Sequence, residues 1–216
     1  MRAVNIAELQ HALGVAADGA WGPKSRAALA EALQGHNPTV YAALAAYVAG
    51  RPASPSFTSL GIAMAQHLPA YGIIDTPARL ANFLGQACHE TLRFQFLKEI
   101  WGPTPAQKRY EGRADLGNTR PGDGEKYKGR GIFQTTGRAN YETTGKALGL
   151  DLVANPALLE TPDIAVLSAC HYWDSHKLSA LADAGRDDDI TRRINGGTNG
   201  IDERRAYVAK AKEVLK

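Results

Sequence analysis

The sequence predicts a mainly α-helical protein. Two observations carry the prediction: apolar residues recur at three- and four-residue spacing along most of the chain, and prolines stand repeatedly where such stretches begin. Alternating strand patterns are scarce, and only residues 127–134 read as a short strand. The 216 residues are 44% hydrophobic and 22% charged, an ordinary globular composition with enough chain for one or two domains.

Ile6, Leu9 and Leu13 sit at helical spacing, with Gly14 as a stop. A second helix is expected over about 23–33, carrying Ala27, Leu29 and Leu33. Between the two lies Asp18-Gly-Ala-Trp-Gly-Pro-Lys-Ser25, a Gly-rich turn around one large aromatic. An Ala-rich third helix follows over about 39–49. Gly50-Arg-Pro-Ala-Ser-Pro-Ser56 has the composition of a linker. The reading is a module over 1–50, a linker over 51–57 and a main domain over 58–216. In that domain Leu60, Met64, His67 and Leu68 form one face. Thr76-Pro77 is a cap followed by a first-turn proline. Its helix turns Leu80, Phe83, Leu84 and Ala87 inward and brings Glu90 to its C-terminal end. Residues 115–131 should be a loop. Asn155-Pro and Thr161-Pro mark further helix starts, and 164–173 should be a central helix.

Composition removes several classes of function. A net charge of +3 favours encounter with an anionic polymer such as a bacterial wall, but it is too small to argue nucleic acid. No Lys/Arg run interleaved with aromatics supports nucleic-acid binding either. Cys88 and Cys170 form no framework and read as buried, reduced thiols. The longest apolar stretch, 40–50, is too short to cross a bilayer. The opening Met-Arg-Ala-Val-Asn-Ile-Ala-Glu carries no signal peptide, so the chain is expected to fold in a cytoplasm.

The chemistry-bearing feature is a pair of glutamates, Glu90 and Glu99. Two carboxylates flanking a glycosidic bond can supply an acid and a base. On one unbroken helix they would lie about 13 Å apart along the axis and on opposite faces. A shared substrate therefore requires the helix to end soon after Glu90. An inverting reaction further requires the carboxyls about 6.5–9.5 Å apart. His89-Glu90 opens a zinc-protease motif that fails, because Arg93 stands where the second histidine belongs. No metal or other cofactor is expected.

Four motifs follow one another in order: Gln86-Ala-Cys-His-Glu-Thr91 with Glu99, Tyr127-Lys-Gly-Arg-Gly-Ile-Phe-Gln-Thr-Thr-Gly-Arg-Ala-Asn-Tyr141, Ile194-Asn-Gly-Gly197, and Glu203-Arg-Arg-Ala-Tyr207. From about Ser59 onward the chain resembles the family 19 glycoside hydrolases, which include plant and bacterial chitinases and a branch of phage endolysins. The resemblance implies a lysozyme-like α-helical domain with a deep cleft and an inverting mechanism. It implies Glu90 as general acid, Glu99 as general base and Thr136 as the hydroxyl holding the attacking water. Gln134, Asn140, Tyr141, Asn195 and Arg205 match cleft positions; His89 and Tyr127 are placed beside them. An acid must hold its proton at neutral pH, which an apolar setting from Phe83, Ala87 and Cys88 would favour; a base must stay ionised, aided by Lys98, Arg130 or Arg205. Leu92-Arg93 departs from the small residues usual after His-Glu-Thr. Glu111 stands as a second candidate base.

Leu9-Gln-x-x-Leu-Gly14 with Asp18-Gly-x-Trp-Gly-Pro-Lys-Ser-Arg26 resembles a peptidoglycan-binding module of three short helices. Asp18 and Trp21 centre its turn, with Trp21 either a core plug or a sugar platform. Together the resemblances imply a monomeric endolysin. It would cut β-1,4 bonds of peptidoglycan glycan strands, without membrane insertion, and be stored in the host cytoplasm until release. The alternatives are a chitinase, a metal-dependent wall amidase or peptidase, and an inactive wall-binding protein. The basic closing segment 202–216 reads as a solvated helix of the domain.

Overall fold

The structure, a computed structural model, describes residues 3–216. Helices dominate, and several of them begin at a proline or a capping side chain. They are α1 (Ile6–Ala12), α2 (Pro23–Gln34), α3 (Pro38–Ala49), α4 (Pro55–His67), α5 (Pro77–Glu90), α6 (Pro105–Lys108), α7 (Asp123–Lys126), α8 (Arg138–Leu148), α9 (Pro162–Ser175), α10 (Leu178–Asp183), α11 (Asp187–Asn195) and α12 (Ile201–Leu215). Proline opens α2, α3, α4, α5, α6 and α9, where its missing N–H costs nothing. Thr76 caps α5 by accepting from the Arg79 amide, and Asn5 closes a capping box with Glu8 on α1.

Two helix pairs build the core. α3 packs along α4, and α5 packs along α12; α9 covers α4. Small residues allow the close approach. A methyl group on Gly61 would meet the Pro38 carbonyl at 2.4 Å, and one on Gly85 would meet Val208 at 2.4 Å. Phe83 sits between Phe133 and Trp173, edge-on to both. Cys88 and Cys170 are buried and not bonded to each other.

Four expectations change here. The linker at 50–56 is a short turn between two helices packed on each other: Gly50 ends α3 in the left-handed region and α4 starts at Pro55. Its proline and serine content reflects helix stopping and starting, not reach. The strand expected at 127–134 reduces, among the described residues, to two isolated antiparallel bridges, Lys98 with Arg130 and Arg130 with Thr135. The loop expected at 115–131 contains α7, and Asn155-Pro opens a 3₁₀ turn, Pro156–Glu160. Among the described residues no helix is long and apolar enough to cross a membrane.

Candidate active site

α5 ends at Glu90. The Thr91 hydroxyl donates to the Ala87 carbonyl at 2.6 Å and accepts from the Phe94 amide at 2.9 Å, which turns the chain back. Leu92, Arg93 and Phe94 are all left-handed, with φ of 48°, 63° and 58°. Such a run of non-glycine residues is costly. Two contacts hold it. Phe94 is buried edge-on against Phe57, with ring centroids 5.9 Å apart. Arg93 caps α3, donating to the Ala49 and Gly50 carbonyls at 2.8 and 3.1 Å. Thr91, Arg93 and Phe94 thus end the helix between the two glutamates, and of the departing pair Leu92-Arg93 it is Arg93 that contributes.

On α5 the polar residues Asn82, Gln86 and Glu90 repeat every four positions and form one row. Arg204, at the start of α12 and fully buried, meets this row. It donates through Nη1 to Gln86 at 2.6 Å and through Nη2 to Glu90 Oε1. Gln86 donates in turn to Thr191 at 2.9 Å. The Glu90 side chain keeps 16% of its surface exposed, so one edge faces solvent while the other is fixed by a charge-assisted bond. The expected apolar surround is not what this carboxyl meets. Phe83, Ala87 and Cys88 turn into the core, and the contact on Glu90 is a guanidinium.

Glu99 lies on the returning segment. Its amide donates to the Gly129 carbonyl at 2.8 Å, and Gly131 donates to Leu97 at 2.8 Å. Its carboxylate accepts from Gln107 Nε2 at 2.9 Å and from the Gly129 amide at 3.2 Å. Burial, and then the Glu99 carboxylate beside it, push the Tyr110 phenol up. A side chain at Gly129 would strike Gln134 Oε1 at 2.6 Å and Thr136 Oγ1 at 3.3 Å. Gly129 therefore lets Glu99, Gln134 and Thr136 crowd one spot. The Thr136 hydroxyl donates to the Gln134 carbonyl at 2.8 Å.

The remaining expected residues divide. His89 is half-buried, with Nδ1 2.6 Å from Glu203 and its ring against Gly200. Asn140 is exposed and donates to the Thr136 carbonyl at 2.7 Å; Asn195 is exposed and closes α11. Tyr127 and Tyr141 are fully buried, their rings 5.2 Å apart, so neither faces a sugar. The Tyr127 hydroxyl is spent on the Val153 carbonyl and the Tyr141 hydroxyl on that of Lys128. Burial pushes the Tyr141 phenol up to about 12. Arg205 is also corrected. It is 53% exposed and pairs with Asp188 and Asp202, while its neighbour Arg204 takes the inward place. The heptad-like row Arg204, Val208, Ala211 and Leu215 carried that signal in the sequence. Lys98 and Arg130 bind Glu160 instead of Glu99. Glu111 spends both oxygens on the Gly122 and Gly124 amides, at 2.7 and 2.8 Å, anchoring the start of α7.

Trp21 is a plug. Its indole donates to the Val214 carbonyl at 3.0 Å, satisfying a last-turn carbonyl of α12. Asp18 accepts from the Ala20 amide and from Gln10, both at 2.9 Å, and these bonds, the Ala20 amide first, hold its carboxyl below the usual range. A cavity of about 680 Å³ lies elsewhere, between α1, α3 and α4, and holds neither glutamate. Among the described residues no group of three or more His, Cys, Asp or Glu could hold a metal.

The class this fold defines is the lysozyme-like α-helical glycoside hydrolases. Residues 45–182, more than half of the chain, match glycosyl hydrolase family 19, described as chitinase class I, and the chain belongs to that family. A glycosyl hydrolase family 19 domain-containing protein of Haemophilus influenzae is 41% identical over 99 residues, 46% of this chain and 48% of its own length. An endochitinase of Arabidopsis thaliana is 33% identical over 150 residues, 68% of this chain and 50% of its own. The chain spans about half the length of these curated relatives. The crystal structure of chitinase C from Streptomyces griseus superposes with a TM-score of 0.59 at 26% identity, over 71% of this chain and 82% of that one.

Proposed function

We propose that this chain hydrolyses β-1,4 bonds between N-acetylated sugars of peptidoglycan by an inverting acid/base mechanism, as an endolysin. The observation that carries the reading is the break in the chain after Glu90, which folds Glu99 back onto the Gly129–Thr136 segment. Glu90, oriented by Arg204, gives its proton to the leaving glycosidic oxygen. Glu99, oriented by Gln107 and Gly129, takes a proton from water as that water attacks the opposite face of the sugar. The Thr136 hydroxyl helps hold the water, and Gln134, Asn140 and Asn195 contact the sugars. Each cleavage consumes one water and inverts one anomeric centre.

The peptidoglycan assignment is supported by the segment 4–33, which resembles wall-binding modules. Trp21 and Asp18 act there as the structural centre, so wall contact falls to other surface residues of the module. Chitin is the second reading, favoured by relatives that are an endochitinase and chitinase C. Release from a host cytoplasm by a separate membrane lesion accompanies the endolysin reading.

Purified wall and chitin oligomers decide between the two. Digestion of peptidoglycan should release new reducing ends without new amines, survive EDTA and give the α-anomer first by NMR. Glu90→Gln and Glu99→Gln should each cut turnover by roughly 10³-fold or more, on the scale of losing a general acid or base. An active Glu90→Gln enzyme, or cleavage confined to chitin, overturns the proposal or its substrate.

A further inference from the structure

Lys98 and Arg130 stand opposite each other at an antiparallel bridge, where the Glu99 segment pairs with the Gly129 segment. Residues paired in this way place their side chains on one face, and like charges directly opposite repel. Here one carboxylate separates them. Glu160, the last residue of the 3₁₀ turn before α9, accepts from Lys98 Nζ at 2.9 Å and from Arg130 Nε at 2.7 Å, one oxygen to each. Arg130 is buried, and its Nη1 also donates to the Lys126 carbonyl at 2.8 Å and to the Tyr141 hydroxyl at 3.0 Å. That hydroxyl passes on to the Lys128 carbonyl at 2.6 Å. The Arg130 backbone pairs with Thr135 on its other side, exchanging bonds at 3.1 and 2.8 Å. One residue thus joins the segment bearing Glu99 to the segment bearing Thr136, and Glu160 fixes its side chain.

We propose that Glu160 is a positioning residue for Glu99: it clamps the opposed cations Lys98 and Arg130 and so holds the base carboxylate and the Thr136 hydroxyl in register. The inference rests on Glu99 being the base. Without the Glu160 charge, two cations face each other one residue from Glu99 and from Gly129. The pairing then slides or splays, and the base moves away from the water. Of the proposed sugar contacts, Asn140 and Asn195 lie outside the paired segments, so the larger loss falls on turnover.

The test uses the full chain on purified peptidoglycan, with kcat and apparent KM measured separately. Glu160→Gln should lower kcat roughly 10- to 100-fold, the range for a misplacement of about 1 Å, with KM unchanged within about two-fold. Adding Lys98→Met to that variant removes the repulsion and should recover most of the lost kcat, which a loss of fold stability alone would not do. Unchanged kcat in Glu160→Gln, a loss confined to KM, or no recovery in the double variant overturns the clamp. Should Glu160→Gln not fold, Tyr141→Phe carries the test: it removes only the hydroxyl between Arg130 and Lys128 and should lower kcat several-fold, and an unchanged kcat refutes the proposal. Glu99→Gln runs in parallel. If it stays active, the base assignment itself has failed, an outcome separate from any result at Glu160.

Discussion

Arg204 and Arg205 are adjacent, identical in chemistry and opposite in use. Arg204 is buried and bound to Glu90 and Gln86; Arg205 is exposed between Asp188 and Asp202. Removing one partner from a buried pair leaves a desolvated group without compensation, whereas exposed pairs contribute little. Arg204→Met should cost about 3 kcal/mol of stability and depress turnover as well. Arg205→Ala should cost less than about 1 kcal/mol and leave turnover nearly intact. Urea unfolding of both variants checks the contrast, and equal effects would show that burial is not what separates them.

The helix-breaking turn shows the same logic in an element. Leu92 is 58% exposed with φ of 48°, so it bears the left-handed cost without the packing that repays Phe94 or the capping that repays Arg93. Glycine there should relieve about 1–2 kcal/mol of strain against about 0.5–1 kcal/mol of added chain entropy. Leu92→Gly is therefore expected to hold or slightly raise the melting temperature; a clear fall would reveal an unseen role for the leucine. The α5–α12 pair is less forgiving. Gly85→Ala drives a methyl group into Val208 and should destabilise by roughly 1–3 kcal/mol, with Glu90 and Arg204 displaced together.

At the scale of the molecule, the N-terminal segment is part of the packing. Trp21 bonds to the end of α12 at 3.0 Å, and Leu29 and Leu33 are buried. A chain beginning at residue 38 should therefore melt well below the full chain, even where wall binding is not assayed. Acid should also loosen the whole fold. The Arg138 bond holds Asp123 below its ordinary value of 3.8. Burial pushes Glu160 up, but bonds from Arg130 and Lys98 outweigh it and hold it below 4.5. Groups lowered on folding stabilise above their unfolded values and lose that contribution as pH falls through the folded ones. The melting temperature should hold down to about pH 4.5 and drop below it; a flat profile to pH 3 would contradict this.

Much of this was legible locally. Prolines fixed helix starts at Pro23, Pro77 and Pro162, because first-turn preferences depend on a few adjacent residues; Pro55, inside the stretch that reads as a linker, opens α4 only because α3 and α4 pack on each other. The two glutamates and their motifs were also legible, since they are matters of residue type and order. Tertiary structure decided what each side chain faces. It sent Arg204 inward and Arg205 outward, put Tyr127 and Tyr141 into the core, turned Trp21 onto α12 and set Glu160 between two cations 62 and 30 residues away in the chain. Spacing along a chain specifies a conformation. Which surface a side chain meets depends on helices packed from distant sequence, and only the folded molecule brings those together.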